Sequence, residues 1–232
     1  MLIFRHAEKR GHFNFTWLDT YHSFSFSDYY DPQWMGFRDL RVINEDRVQA
    51  GKGFATHAHR DMEIITYILE GELQHKDSMG NGSIIKPGEI QRMSAGLGVT
   101  HSEYNPSLTH PVHILQIWIL PEKKGLTRSY EQKQIPHFEK NNEWILLASR
   151  EAREDSVVVH QNVELLMSKL RAGKFLNYNL ESNRHTWIQL ARGEIEVNGN
   201  LLRQGDGVAA SDEKVLELKA LQDSELLLFD LN

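Results

Sequence analysis

The stretch Gly51–Gly71, GKGFATHAHRDMEIITYILEG, sets two histidines two residues apart, framed by glycines and followed by an apolar run. In an extended strand every second side chain leaves the same face, so His57 and His59 are expected to point together. Taken alone, such a pair reads equally as half of a metal site or as a solvated pair on a barrel rim.

The segments around it are short and rich in β-branched and aromatic residues. FRDLRVINEDRVQAG precedes the pair, and MEIITYILEGELQHKDS and HILQIWIL follow it, with Gly, Asn and Asp as punctuation. SMGNG, from Ser78 to Gly82, carries the composition of a tight turn between strands. No long helical pattern interrupts the series. After Pro121 the composition shifts to PEKKGLTRSYEQKQIPHFEKNNE, which reads as a solvated connector or short helix, and strand-like segments then resume. Gly173 precedes Gly193 by the same interval that separates Gly51 from Gly71, and YILEGELQH is echoed by IQLARGEIEVNG. The chain is therefore expected to be all-β, with an N-terminal domain over 1–122, a connector over 123–143 and a duplicated C-terminal domain over 144–232. Counted from those glycines, Asn179 and Glu181 stand where His57 and His59 stand in the first copy. Only the first copy is then expected to hold metal.

Composition bounds the function. With 26 Lys plus Arg against 32 Asp plus Glu, the net charge of -6 supplies no basic field for nucleic acid or anionic lipid. Cysteine is absent, so any metal must be held by nitrogen and oxygen donors. No apolar segment approaches the length of a membrane span, and a soluble, cytoplasmic monomer is expected. Of the remaining histidines, His6, His12, His110, His137, His160 and His185 sit beside charged or turn residues and are expected at the surface. His75 is expected to face water, His113 to be a satisfied core residue, and His22 to pack within the aromatic stretch WLDTYHSFSFSDYYDP. Phe24, Phe26, Tyr29 and Tyr30 of that stretch are expected to seal one end of a core.

MSAGLGVTHSEYNPS supplies a second pair, His101 and Glu103, again two residues apart after glycines. Three neutral imidazoles and one carboxylate form a donor set suited to Fe, Mn, Co, Ni, Cu or Zn, and two such spacings in one chain favour a metal site over a rim.

These motifs resemble those of the cupins: a glycine, five residues and HxH in Gly51–His59, then a glycine, two residues, His, three residues and Asn in Gly98–Asn105. Together, WLDTYHSFSFSDYYDP, HAHRDMEIITYILEG and HSEYNPS resemble the pirin family over both halves of the chain. The resemblance implies two tandem cupin barrels of double-stranded β-helix, jelly-roll type, a bicupin. It implies one divalent transition metal in the N-terminal domain, with iron expected ahead of the alternatives, held by His57, His59, His101 and Glu103. Glu63 is a rival carboxylate, but it lies one residue out of the expected register. It is left to orient a ligand histidine through its free nitrogen. The implied activity is quercetin 2,3-dioxygenase: O2 opens the heterocycle of a flavonol with release of carbon monoxide, Glu103 serving as general base. The alternative within the family is a redox-sensing co-regulator that acts through a protein partner.

Overall fold

The computed structural model describes all residues, 1–232, and consists of β-strands with two single-turn 3₁₀ segments. No helix is long and apolar enough to cross a membrane. The chain divides into two compact units: Gly11–Ile135 with Val157–Gln161, and Met1–Arg10 with Pro136–Ser156 and Asn162–Asn232.

In the first unit a seven-stranded antiparallel sheet runs in the order Ser129–Gln134, Glu89–Ser94, Glu63–Glu70, Val112–Ile119, Leu40–Val48, Leu18–His22, Gly11–Asn14. A four-stranded sheet, in the order Gly53–His59, Val99–Tyr104, Leu73–Asp77, Gly82–Ile85, accompanies it. Between the last two strands Asp77 caps the turn that SMGNG announces, its carboxylate accepting from the backbone N–H of Met79 and Asn81. The stretch expected as a connector contributes Ser129–Gln134, an edge strand paired with Glu89–Ser94 along its whole length. Its charged, polar sequence is what an edge strand carries to discourage further pairing, and for that reason it reads as solvated chain.

The second unit repeats the layout. Leu2–Arg5, Gly207–Ser211, His185–Arg192, Ser224–Leu231, Val163–Leu170 and Ile145–Ser149 lie side by side in one sheet. Phe175–Asn179, Val215–Ala220, Glu194–Val197 and Asn200–Arg203 form the other. The N-terminal strand thus belongs to the C-terminal unit. The core of this second unit is a leucine-rich cluster, built from Leu166, Leu170, Ile188, Leu190, Leu216, Leu218, Leu226 and Leu228 among others, with a few polar residues such as Ser168 and Thr186 buried on the same strands. This is the duplicated, all-β, double cupin architecture expected from the sequence.

The register of the repeat differs from a count between glycines. Asn179 and Glu181 are both exposed. The partly buried residues of the Phe175–Asn179 strand are Leu176 and Tyr178, which pair with Leu218 and Leu216. Traced through the paired strands, Leu176 with Leu218 matches Phe54 with Glu103 in the first unit, and Tyr178 with Leu216 matches His57 with His101. The physical reason is a bulge. Pairing moves from His101↔His57 to Glu103↔Phe54, so the Gly53–His59 strand holds one extra residue that Phe175–Asn179 lacks.

Candidate metal centre

His57 and His59 leave the same face of Gly53–His59, and both are partly buried while their neighbours Thr56 and Ala58 are exposed. On the adjacent strand the alternation of Val99–Tyr104 buries Val99, His101 and Glu103 and exposes Thr100 and Tyr104. The two faces meet. Ring centroids lie 4.4 Å apart for His57 and His101, and 4.8 Å apart for each of the other two pairs. The Nε2 atoms of His57 and His101 are separated by 3.0 Å. Donor atoms of His57, His59 and His101 lie within 4.8 Å of one another, and so do those of His75, His101 and Glu103, leaving His101 common to both trios.

Each ring is held from behind. The Nδ1–H of His57 donates to the carbonyl of Ala55 at 2.8 Å, which leaves Nε2 as the bare nitrogen facing the cluster. His101 Nδ1 meets His75 Nδ1 at 3.4 Å, and His75 Nε2 meets Asp77 Oδ2 at 3.2 Å. His75 is therefore not at the surface, as its sequence setting suggested. It is fully buried, stacked on Tyr130 with centroids 4.9 Å apart, and relays the Asp77 carboxylate to His101. The ring of His59 stands edge-on to Trp118, 4.8 Å away. Burial is the main reason that His59 is pushed down to about 4 and His101 to about 2, with neighbouring imidazoles adding to the shift. Both are neutral near pH 7, with lone pairs available to a cation.

Glu103 is buried, and its oxygens accept from Gln116 Nε2 at 3.0 Å and from Thr66 Oγ1 at 3.5 Å. Burial pushes its carboxyl up to about 7, the nearby Asp46 contributing in the same direction. Three imidazoles, one buried and two partly buried, beside an acid held at the edge of ionisation are the electrostatic setting that a divalent cation relieves. The donor set fits a borderline N/O-binding transition metal.

Glu63 does not serve this cluster. It lies on the opposite face of its strand from Ile64, which lines the cavity, and Thr66, which meets Glu103. Its Oε2 accepts from Ser94 Oγ at 2.9 Å and from the backbone N–H of His160 at 3.1 Å. His160 and His185 are half-buried rather than exposed, whereas His6, His12, His110 and His137 are at the surface. His113 is a satisfied core histidine, bonded through Nε2 to Glu45 at 2.9 Å. In the aromatic stretch Phe24 is buried and Tyr30 is exposed, while Phe26 and His22 line the cavity.

That cavity, of about 230 Å³, opens over the histidines between Phe13, Phe26, Phe54 and Trp118. The wall of Asn44, Asp46, Thr66 and Gln116 behind Glu103 went unread in the sequence. The available signal was NED at 44–46, a polar run inside an otherwise apolar strand.

Comparison with known proteins agrees with this geometry. The pirin family model matches residues 3–119, and a model described as a quercetinase C-terminal cupin domain matches residues 146–231. A quercetin 2,3-dioxygenase of Escherichia coli K12 is 47% identical over 231 residues, covering 100% of this chain and 99% of that protein. A pirin-like protein of Caulobacter vibrioides is 38% identical over 226 residues, with 96% of each chain covered. The crystal structure of the bacterial pirin YhhW from Escherichia coli in complex with nickel(II) superposes with a TM-score of 0.95 at 47% identity, covering 100% of this chain and 99% of that one. On the strength of the family match and of relatives aligned along the whole chain, the protein belongs to the pirin family.

Proposed function

We propose that the protein is a metal-dependent dioxygenase that opens the heterocycle of flavonols such as quercetin with O2 and releases carbon monoxide. The observation that carries this reading is the convergence of His57, His59, His101 and Glu103 at the base of an aromatic-walled cavity. These four residues would hold one divalent transition metal, supported by the nickel(II) complex of the relative YhhW and by the quercetin 2,3-dioxygenase names of close relatives. When bound, the ion supplies Lewis acidity to an enolic hydroxyl and a centre for electron exchange with O2.

The chain's own residues do the rest. Ala55 fixes the His57 ring, and the Asp77–His75 relay fixes His101, so two imidazole nitrogens are aimed before the ion arrives. Glu103, buried beside the substrate space and ionised when the cation is bound, accepts the proton of the flavonol 3-hydroxyl. Gln116 and Thr66 keep that carboxylate in place while its charge changes. Phe13, Phe26 and Trp118 offer flat apolar surface to the rings and exclude water around the deprotonated substrate.

The test is carbon monoxide release and O2 uptake with quercetin, using protein reconstituted with iron, manganese, cobalt, nickel, copper or zinc in turn. At least one metal is expected to give O2 uptake and carbon monoxide release in equal amounts. Turnover that proceeds equally without O2, or none with any metal, overturns the reading.

A further inference from the structure

Three polar atoms on the cavity wall have no partner within the protein: Asn44 Oδ1, Asp46 Oδ1 and Trp118 Nε1. Asn44 and Asp46 are each only 4% exposed. They stand at alternate positions of Leu40–Val48, so both side chains leave one face, next to the strand that carries Gln116 and Trp118. Asp46 receives one hydrogen bond, from Thr20, whose hydroxyl lies 2.9 Å from His22 Nε2. Its second oxygen is buried and unserved. Buried polar groups are rarely left in this state, because the desolvation each suffers goes unrepaid. Here two of the atoms are acceptors, one is a donor, and Phe13, Phe26 and Phe54 frame the same space. The C-terminal unit places Leu166 and Ser168 at the matching positions, the Ser168 hydroxyl also without a partner, so the barrel itself requires neither an amide nor a carboxylate there.

We propose that Asn44 and Asp46 form a hydroxyl-binding subsite which selects polyphenolic aromatics, a substrate O–H bonding to Asp46 while Trp118 Nε1–H donates to a carbonyl or ring oxygen. The subsite rests on the dioxygenase reading for the position of the substrate. It adds the chemical class: a flat aromatic that carries both hydroxyl donors and an oxygen acceptor, rather than an unsubstituted ring.

The test is equilibrium binding without O2, on metal-loaded protein, of quercetin and of flavonols lacking one ring hydroxyl at a time. Asp46→Leu and Asn44→Leu are compared with wild type, each variant first shown to be folded and to carry the wild-type metal content. Wild type is expected to favour quercetin over at least one analogue by roughly ten- to hundredfold, the range of a hydrogen bond to a charged group. Asp46→Leu is expected to erase that preference while binding the same analogue as wild type does, because removal of the hydroxyl and of the carboxylate are not additive. If wild type shows no preference, or if both variants keep it across the whole series, solvent serves these atoms and the proposal falls. Because binding is read without turnover, a protein that shows the preference but consumes no O2 sinks the dioxygenase reading and leaves the subsite standing. Carbon monoxide release with no hydroxyl preference does the reverse.

Discussion

The two barrels share a layout and differ in what fills it. In the first, one rung across three paired strands reads Thr66, Gln116, Asn44. In the second, the matching rung reads Ile188, Leu228, Leu166. On the facing sheet the inward residues are His101 and Glu103 in one and Leu216 and Leu218 in the other. Behind them His75 stands in one against Val197 in the other, and the longer turn of the first barrel adds Asp77. Every substitution runs in one direction. A closed apolar core gains stability from burial in proportion to area, whereas each polar residue in the first barrel must be compensated by a partner or a ligand. The second barrel therefore shows what this scaffold needs in order to fold, and the excess of polar groups in the first marks what it needs in order to act.

The most direct way to break the contrast is to give the first barrel a residue of the second. His101→Leu gives this position the side chain that Leu216 supplies in the second barrel. It is expected to lower metal affinity more than roughly a hundredfold, beyond the range for losing an outer partner of a ligand. The fold should survive, since a neutral buried imidazole is exchanged for a leucine. Metal content after dialysis and the unfolding midpoint report the two effects separately, and a full equivalent of tightly held metal would remove His101 from the centre.

Glu103→Gln tests charge rather than shape. Quercetin turnover is expected to fall by about a hundredfold or more, the usual cost of a lost general base. A second signature concerns protons. In the metal-free protein Glu103 is held up to about 7, so at pH 6 it is largely protonated, and a cation must displace that proton. Metal affinity should therefore weaken as pH falls below about 7. His59 and His101, pushed down to about 4 and about 2, are already neutral there and do not mask the trend. Calorimetry in buffers of different ionisation enthalpy should show proton release on metal binding at pH 6 that the Gln variant lacks.

A smaller effect is expected one step further out. Asp77→Asn weakens the anchor of His75 and, through it, the orientation of His101, lowering metal affinity by roughly ten- to a hundredfold. In the second barrel His75 is matched by Val197, buried in the core, and the strand turns directly after it, so no carboxylate is needed there to orient a ring. Unchanged affinity in Asp77→Asn would reduce the relay to packing.

The legibility of this molecule in its sequence follows the same division. Strand parity alone puts His57 with His59 and His101 with Glu103, and the glycine-framed motifs identify the family and both barrels. What escaped depends on pairing across strands. His75 and Asp77 also stand two residues apart, but nothing local tells which face of Leu73–Asp77 turns inward. Asn44 and Asp46 lie in a strand whose intervening Glu45 is also buried, so their alternation is invisible. The bulge in Gly53–His59 adds a residue that is recovered before the next glycine. Equal spacing between glycines thus hid a change of register and drew attention to Asn179 and Glu181.

The subtlest difference between the barrels is electrostatic, and it sits at Asp46, whose counterpart in the second barrel is the neutral Ser168. Burial raises the Asp46 carboxyl from 3.8 to about 7 in the metal-free protein, with Glu45 adding to the shift. The sign follows from linkage. Between these two values the folded chain holds a proton that the unfolded chain has released, so stability falls as pH rises through this window. Below it both states are protonated, and above it both are ionised with the full penalty of a buried charge. Asp46→Asn removes the charge at nearly constant shape. The metal-free variant is therefore expected to match wild type near pH 4 and to become progressively more stable than it towards pH 7, by an amount on the order of a few kcal/mol at most. Denaturant unfolding of both proteins between pH 4 and 8 measures the difference. A gap that stays constant across that range would mean that Asp46 is not held protonated by its surroundings, and the polar wall of the first barrel would then be better solvated than its geometry indicates.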